Sequence, residues 1–299
     1  MAVLTVGETM ALLDPVGDGP PAPGTRFTLR FAGAETNFAI ALARLGVHVS
    51  WISRLGRDAF GDMIEQGVAA EGVDVSRVRR DDARTGLFVK WRGGEERGVA
   101  YYRAGSAASR LRLGDVPDEA LDGVRLVHLT GITMALSESA LELVVDVARR
   151  ARERGAVVLF DPNFRPALPD TPDAAVARVR GVMPHVDWCL TGEDEARLLW
   201  GEAGPPARAV LRVGPRGAIV DGIAVPPPHE VVVVDEIGAG DAFAAGFAYG
   251  LLEGWGPTAC AHAGNVLAAR ALAGTGDWET LPRLAEVADA LLDPPPYLV

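Results

Sequence analysis

The residues with the clearest chemical potential stand late in the chain, at Gly238-Ala239-Gly240-Asp241. Four valines, Val231 to Val234, lead through Asp235, Glu236 and Ile237 into this turn, and the small residues after it can continue only as a helix. Glycines permit the φ > 0 geometry in which successive N–H groups converge on one anion, and the helix adds its positive end. Donors held there can stabilise charge developing on a transferring phosphoryl group. Asp241 carries two readings: an N-cap carboxylate after a tight turn, or a base that accepts a proton from a nucleophile beside the phosphate. A dinucleotide fingerprint fails, because Phe243 stands where its third glycine belongs and consecutive helices follow.

Three earlier stretches bear on the same chemistry. Phe31-Ala32-Gly33-Ala34-Glu35-Thr36-Asn37 opens a helix. There Gly33 allows close backbone approach, and Asn37 offers a donor and an acceptor suited to sugar hydroxyls; a plain glycine turn with a polar helix residue explains it equally. Asp161-Pro162-Asn163-Phe164-Arg165-Pro166 follows a strand directly, at the carboxyl end where open α/β sheets bind ligands. Arg165 is suited to grip a carboxylate or phosphate with two parallel bonds, or is a solvated arginine on a rigid turn. Tyr101-Tyr102-Arg103 offers aromatic rings and a second arginine, or an ordinary β edge.

The elements that position these residues alternate. Short continuous apolar runs at 2–6, 48–53, 126–129, 156–160, 186–190 and 209–213 read as buried parallel strands. Helical patterns lie between or beyond them, at 35–45, 59–71, 137–154, 173–183, 193–199, 239–252, 258–273 and 281–292. This predicts a doubly wound, mostly parallel α/β sheet flanked by helices, in one domain over residues 1–299. Two insertions, about 10–31 and 84–103, break the rhythm and read as short antiparallel strands outside the main sheet, a small β flap or lid. Unpaired strand edges invite partners, so homo-oligomerisation through the flap is an expectation.

Composition narrows the partners. The net charge of −11 argues against a nucleic-acid partner, which requires a basic face. No apolar run reaches the roughly 18 residues of a membrane span, and the first residues lack a basic secretory segment, so the chain is expected in the cytoplasm. Cys189 and Cys260 are expected as reduced, buried thiols, and the five scattered histidines have no metal-ligand spacing. The single lysine, Lys90, is not in a Gly-Lys-Ser/Thr context, which rules out a Walker A loop.

In this order, the motifs resemble the PfkB-type, ribokinase-like carbohydrate kinases across essentially the whole chain. Gly33-Ala34-Glu35-Thr36-Asn37 resembles the family's N-terminal sugar-binding motif, and Asp235 to Asp241 its C-terminal D-T-x-G-A-G-D signature. Val6-Gly7-Glu8-Thr9-Met10, Tyr101 to Ala107, and Asp161 to Arg165 most resemble 2-keto-3-deoxygluconate kinases. The resemblance implies that Asp241 is the base and that Gly238, Ala239 and Gly240 form the anion hole for the γ-phosphate of ATP. It implies that Gly33, Asn37, Tyr101, Arg103, Arg165 and Asp277 hold the substrate, with the arginines on its carboxylate. Arg212, Gly214 and Gly217 match the nucleotide loop, and Asn265 is implied to lie against the adenine. ATP and Mg²⁺ are the implied cofactors, and a primary hydroxyl of a sugar acid, most often 2-keto-3-deoxygluconate, the implied acceptor.

The pattern is departed from in three places, the last of them at both Thr191 and Asp194. Glu236 replaces a threonine, and Phe88 stands where a tyrosine is usual. The N-x-x-E magnesium segment is read at Thr191-Gly192-Glu193-Asp194, which makes Asp194 the metal-side carboxylate, acting through water. A kinase for a neutral sugar such as fructose or ribose, and a sugar-binding regulator without catalysis, are the alternatives.

Overall fold

The computed structural model describes residues 2–17, 19–91, 98–164, 171–205, 208–228, 233–234 and 237–292. Its strands are β1 Val3–Val6, β2 Met10–Pro15, β3 Phe27–Ala32, β4 Val49–Ile52, β5 Arg54–Gly56, β6 Arg79–Asp81, β7 Leu87–Trp91 and β8 Gly98–Tyr102. They continue with β9 Leu126–Thr130, β10 Val157–Asp161, β11 Trp188–Gly192, β12 Arg208–Arg212, β13 Ala218–Val220 and β14 Ile223–Val225. The helices are α1 Ala34–Arg44, α2 Ala59–Ala70, α3 Gly131–Met134, α4 Glu138–Glu153, α5 Pro172–Val182, α6 Glu193–Trp200, α7 Ala239–Leu252, α8 Pro257–Leu272 and α9 Leu284–Leu292.

Eight strands form the main sheet, in the order β14-β13-β12-β11-β10-β9-β1-β4. The six strands from β12 to β4 are parallel, and the β13–β14 hairpin adds an antiparallel edge. Successive side chains of a strand point to opposite faces, and both faces here are dry. Val3, Leu126, Leu159 and Leu190 pack on one side with Phe38 of α1, Ile64 of α2, Phe247 of α7 and Leu267 of α8. Leu4, Val127, Val158, Phe160 and Cys189 pack on the other with Leu143 and Val147 of α4 and Val179 of α5. Double coverage is why these strands read as unbroken apolar runs.

Helix starts follow local chemistry. Asp58 caps α2 by accepting from Gly61 N at 2.8 Å, and Ser137 caps α4 by accepting from Ala140 N at 3.2 Å, contacts worth about 1 kcal/mol each. α7 and α8 approach through small residues: a Cβ on Gly246 would lie 2.3 Å from the carbonyl oxygen of Ala263.

The second sheet has the order β3-β2-β7-β8. Each insertion forms an antiparallel hairpin, as expected, but the hairpins join through β2 and β7, which run parallel. The two first strands meet side by side, so the wholly antiparallel expectation is corrected at this seam. Met10, Leu12, Ala32 and Phe88 form a small apolar cluster on its inner face, joined by Val99 and Tyr101. β5 and β6 make a separate parallel pair.

Candidate active site

Parallel strands bring all their carboxyl ends to one edge of the sheet. Glu8 follows β1, Asn163 and Phe164 follow β10, Glu193 to Glu195 follow β11, and Gly214 follows β12. A cleft of about 860 Å³ opens there, and the second sheet contributes Phe88, Lys90, Val99 and Tyr101 to its wall. That volume suits a small-molecule site.

Asp241 stands in the first turn of α7, only 7% exposed, on the wall of this cleft. The N-cap position belongs to Gly238, not to Asp241. The Asp241 carboxylate is instead oriented by two amides: Asn37 Nδ2 donates to Oδ2 at 2.8 Å, and Asn163 Nδ2 to Oδ1 at 3.4 Å. Asn163 does so from a left-handed backbone, φ 44°, a conformation that non-glycine residues adopt at a cost. Its own N–H donates to Asp161 Oδ1 at 2.9 Å, which offsets part of that cost.

Gly238 has φ 82°, and a Cβ there would lie 2.1 Å from the carbonyl oxygen of Asp277. Only glycine satisfies both constraints. The N–H groups of Ala239 and Gly240 belong to the first turn, whose donors have no acceptor within their own helix. A carboxylate and a helix N-terminus therefore share one wall.

The acceptor residues expected from the sequence converge. Gly33, Asn37, Tyr101, Arg103 and Asp277 all line the cleft. Gly33 is required by close approach, since a Cβ would lie 2.3 Å from Glu8 O. Arg103 pairs with Glu8 through Nη2 and Oε2 at 2.6 Å and lies over the Tyr101 ring at 5.8 Å. Phe88 packs against Tyr101 with 5.8 Å between ring centroids. Arg165 and Glu236 lie outside the described residues.

The nucleotide residues divide. Arg212 and Gly214 line the cleft, whereas Gly217 and Asn265 do not. Asn265 donates to Val225 O at 2.8 Å and Pro226 O at 3.2 Å, and a Cβ on Gly217 would lie 2.3 Å from Val225 O. These two residues brace the end of the β14 edge. Arg212 grips Asp161 with two bonds, 2.6 and 3.0 Å, and also approaches the carbonyls of Leu190 and Gly240, each at 3.4 Å. Burial disfavours its charge, but Asp161, Glu195 and Asp241 outweigh burial and raise its pKa. Arg212 is thus a hub that ties β10, β11 and β12 to the start of α7.

In the magnesium segment, neighbouring acids point in different directions. The Asp194 side chain is fully exposed and pairs with Arg197 at 3.4 Å. The neighbouring Glu195 turns inward: Thr191 Oγ1 donates to its Oε2 at 2.7 Å, Gly192 N at 3.2 Å, and Phe164 N donates to Oε1. Burial and the nearby Asp161 raise the pKa of Glu195. Gly192 is the N-cap of α6, so Glu195 falls at its third position and points back over the strand end. Asp194, the carboxylate expected to act through water, lines the cleft from an exposed position, and Glu195 beside it is the buried acid.

Four further polar residues line the site: Glu8 and Asn163, which lie in the sequence motifs without a role of their own, and Lys90 and Glu195, which no motif announces. Lys90 had a signal. It shares a face with Phe88 on a two-residue period, and a charge on the inner face of a half-buried strand is there for a partner. Glu35, beside Asn37, is wholly buried; Thr130 and Thr133 both donate to its Oε1 at 2.6 Å, and burial raises its pKa.

A helix N-terminus beside an amide-held carboxylate, at the carboxyl edge of a doubly wound sheet, suits anion transfer to a hydroxyl. The fold is ribokinase-like, and the class is a phosphotransferase acting on an alcohol. The chain belongs to the pfkB family of carbohydrate kinases, whose pattern matches residues 2–283. It is 34% identical to a 2-dehydro-3-deoxygluconokinase of Bacillus subtilis over 96% of this chain and 94% of that protein. It is 34% identical to one of Thermoproteus tenax, over 97% and 94% of the respective chains. Its fold superposes with a TM-score of 0.85 on a sugar kinase from Pyrococcus horikoshii in complex with ATP, 25% identical over 95% of this chain and 96% of that one.

Proposed function

We propose that this kinase moves the γ-phosphoryl group of ATP to a primary hydroxyl of a sugar acid, with 2-keto-3-deoxygluconate (2-dehydro-3-deoxygluconate) as the favoured acceptor. One observation carries the reading: the Asp241 carboxylate faces the cleft beside the start of α7, held by Asn37 and Asn163. Asp241 takes the proton from the acceptor hydroxyl as its oxygen attacks the γ-phosphorus. The N–H groups at Gly238, Ala239 and Gly240 meet the negative charge on the transferring group. Gly33, Asn37, Tyr101, Arg103 and Asp277 hold the sugar in line, and Arg165 is proposed to join them. The sheet built from β2, β3, β7 and β8 acts as a lid that keeps water, a competing acceptor, out of the cleft.

The charge around the cleft supports a divalent metal. Glu8, Glu193, Asp194, Glu195, Asp241 and Asp277 face Lys90, Arg103 and Arg212. Among the described residues no cluster of three His, Cys, Asp or Glu side chains is arranged to hold a metal. That donor set fits Mg²⁺ carried on the nucleotide phosphates and met through water by carboxylates such as Glu195. When bound, Mg²⁺ neutralises phosphate charge.

A second reading has one observation in its favour. Glu8 already pairs with Arg103, which reduces the positive charge offered to a substrate carboxylate and suits a neutral sugar. Turnover of Mg·ATP with 2-keto-3-deoxygluconate, 2-keto-3-deoxygalactonate, fructose and ribose, side by side, decides. Highest kcat/KM on a keto-deoxy acid supports the proposal, and preference for fructose or ribose overturns it.

A further inference from the structure

The residues Asp277-Trp278-Glu279 join the lid sheet to the anion-binding turn. Lys90 on β7 donates from Nζ to Asp277 Oδ1, both side chains nearly buried. Trp278 stacks on Phe31 of β3 at 4.9 Å and donates from Nε1 to its carbonyl at 3.0 Å. Glu279 accepts from Arg30 of β3 at 2.6 Å. Arg44 at the end of α1 anchors the segment from below, reaching the carbonyls of Trp278 at 3.1 Å and Leu281 at 2.6 Å. The Asp277 carbonyl lies against Gly238. Lys90 and Asp277 both line the acceptor side of the cleft.

We propose that Lys90 is a specificity-determining residue: its ammonium cancels the charge of Asp277 so that this carboxylate can receive a sugar hydroxyl without repelling the carboxylate of a sugar acid. This rests on the reading of the cleft as a sugar-acid site, and it deepens that reading. The geometry supports it in three ways. Asp241 is already a carboxylate lining the same cleft, so Asp277 brings a second negative charge to it that the paired Lys90 offsets. Arg30, which also feels the field of Asp277, is committed to Glu279 and to Asp14 at 3.3 Å. Arg103 is paired with Glu8 at 2.6 Å. Among the described residues, Lys90 is a cation paired directly with Asp277 within the cleft. Its ammonium has three donors on a flexible stem, so it can hold Asp277 and still turn a donor toward a ligand.

The experiment compares Lys90→Met, Lys90→Arg and the double variant Lys90→Met/Asp277→Asn with the unaltered chain. It reads the ratio of apparent affinities for 2-keto-3-deoxygluconate and fructose. Each compound is measured as substrate or, where it is not turned over, as competitor of the one that is. Charges a few Å apart in a partly buried site interact strongly enough that Lys90→Met should lower the acid-to-neutral ratio roughly 10- to 100-fold. Lys90→Arg should hold the ratio within about threefold, and the double variant, which removes both charges, should recover most of the loss. A ratio unchanged in Lys90→Met, or no recovery in the double variant, overturns the proposal. Equal losses on both compounds with a lowered melting temperature would mark a structural brace and likewise overturn it. Preference of the unaltered chain for fructose would instead overturn the sugar-acid reading, while the ratio in the variants would still judge Lys90.

Discussion

Asn37 donates from Nδ2 to Oδ2 of Asp241 at 2.8 Å, across 204 positions of sequence. A residue in the first turn of α1 and one in the first turn of α7 are thereby parts of one device. Asn37 is fixed by α1, whose first turn is pressed against the β1–β2 connection at Gly33, so the amide arrives at the carboxylate preoriented. Replacing Asn37 with Ala should loosen Asp241 as well as remove a sugar contact. We expect kcat to fall about 10-fold or more together with a rise in sugar KM; a change in KM alone would mean the amide serves only the substrate.

The turn before α7 depends on Gly238. Gly238→Ala forces a Cβ into the Asp277 carbonyl and a left-handed backbone onto an L-residue, which alone costs about 1–2 kcal/mol. Both a lower melting temperature and a loss of kcat/KM for ATP are expected. A variant with unaltered ATP kinetics would show that the turn does not shape the phosphate site.

Asp161 and Arg212 form a nearly buried ion pair with two hydrogen bonds. Breaking it from one side leaves a charge facing the strand ends, a loss of about 3–5 kcal/mol. Urea denaturation of Asp161→Asn and Arg212→Met should each show losses on this scale, while the double variant should lose less than their sum. Additive losses would mean that the two side chains act independently.

His128 is buried against Phe38, with ring centroids 3.8 Å apart, and Nδ1 lies 3.1 Å from Thr5 Oγ1. Burial, helped by the positive charge of Arg212, lowers its pKa from 6.5 to about 3. The folded chain therefore binds this proton later than the unfolded chain does. Stability from the neutral ring is complete above pH 6.5 and is lost as pH falls from there toward 3, at up to about 1.4 kcal/mol per pH unit. Chemical denaturation of the native chain and of His128→Gln between pH 7 and 5 should show the steeper decline in the native chain. Parallel profiles would contradict a buried neutral His128.

Much of this architecture is legible in the sequence because buried parallel strands show as unbroken apolar runs, and the helices between them carry their own caps. The β13–β14 hairpin escapes the pattern reading because each strand has three residues, although Asp221-Gly222, with φ of 49° and 78°, is a hairpin signal in its own right. The parallel seam between β2 and β7 is a tertiary choice that no local pattern encodes. In the cleft, the glycine turn and Asn37 announce themselves by residue type. Glu195 does not, because three acids in a row, Glu193, Asp194 and Glu195, are resolved only by the rotation of α6, which turns the last inward and leaves Asp194 in solvent. Lys90 shows its inward direction through its two-residue spacing from Phe88, but its partner, 187 positions away, is set only by the fold.

The account rests on proton removal by Asp241, and the most direct measurement is sugar binding and Mg·ATP turnover in Asp241→Asn with 2-keto-3-deoxygluconate as acceptor. The amide keeps the shape but cannot accept the proton, so kcat should fall by roughly 10²- to 10⁴-fold, while the sugar dissociation constant stays within about threefold of the native value. Turnover at the native rate in Asp241→Asn would contradict the account.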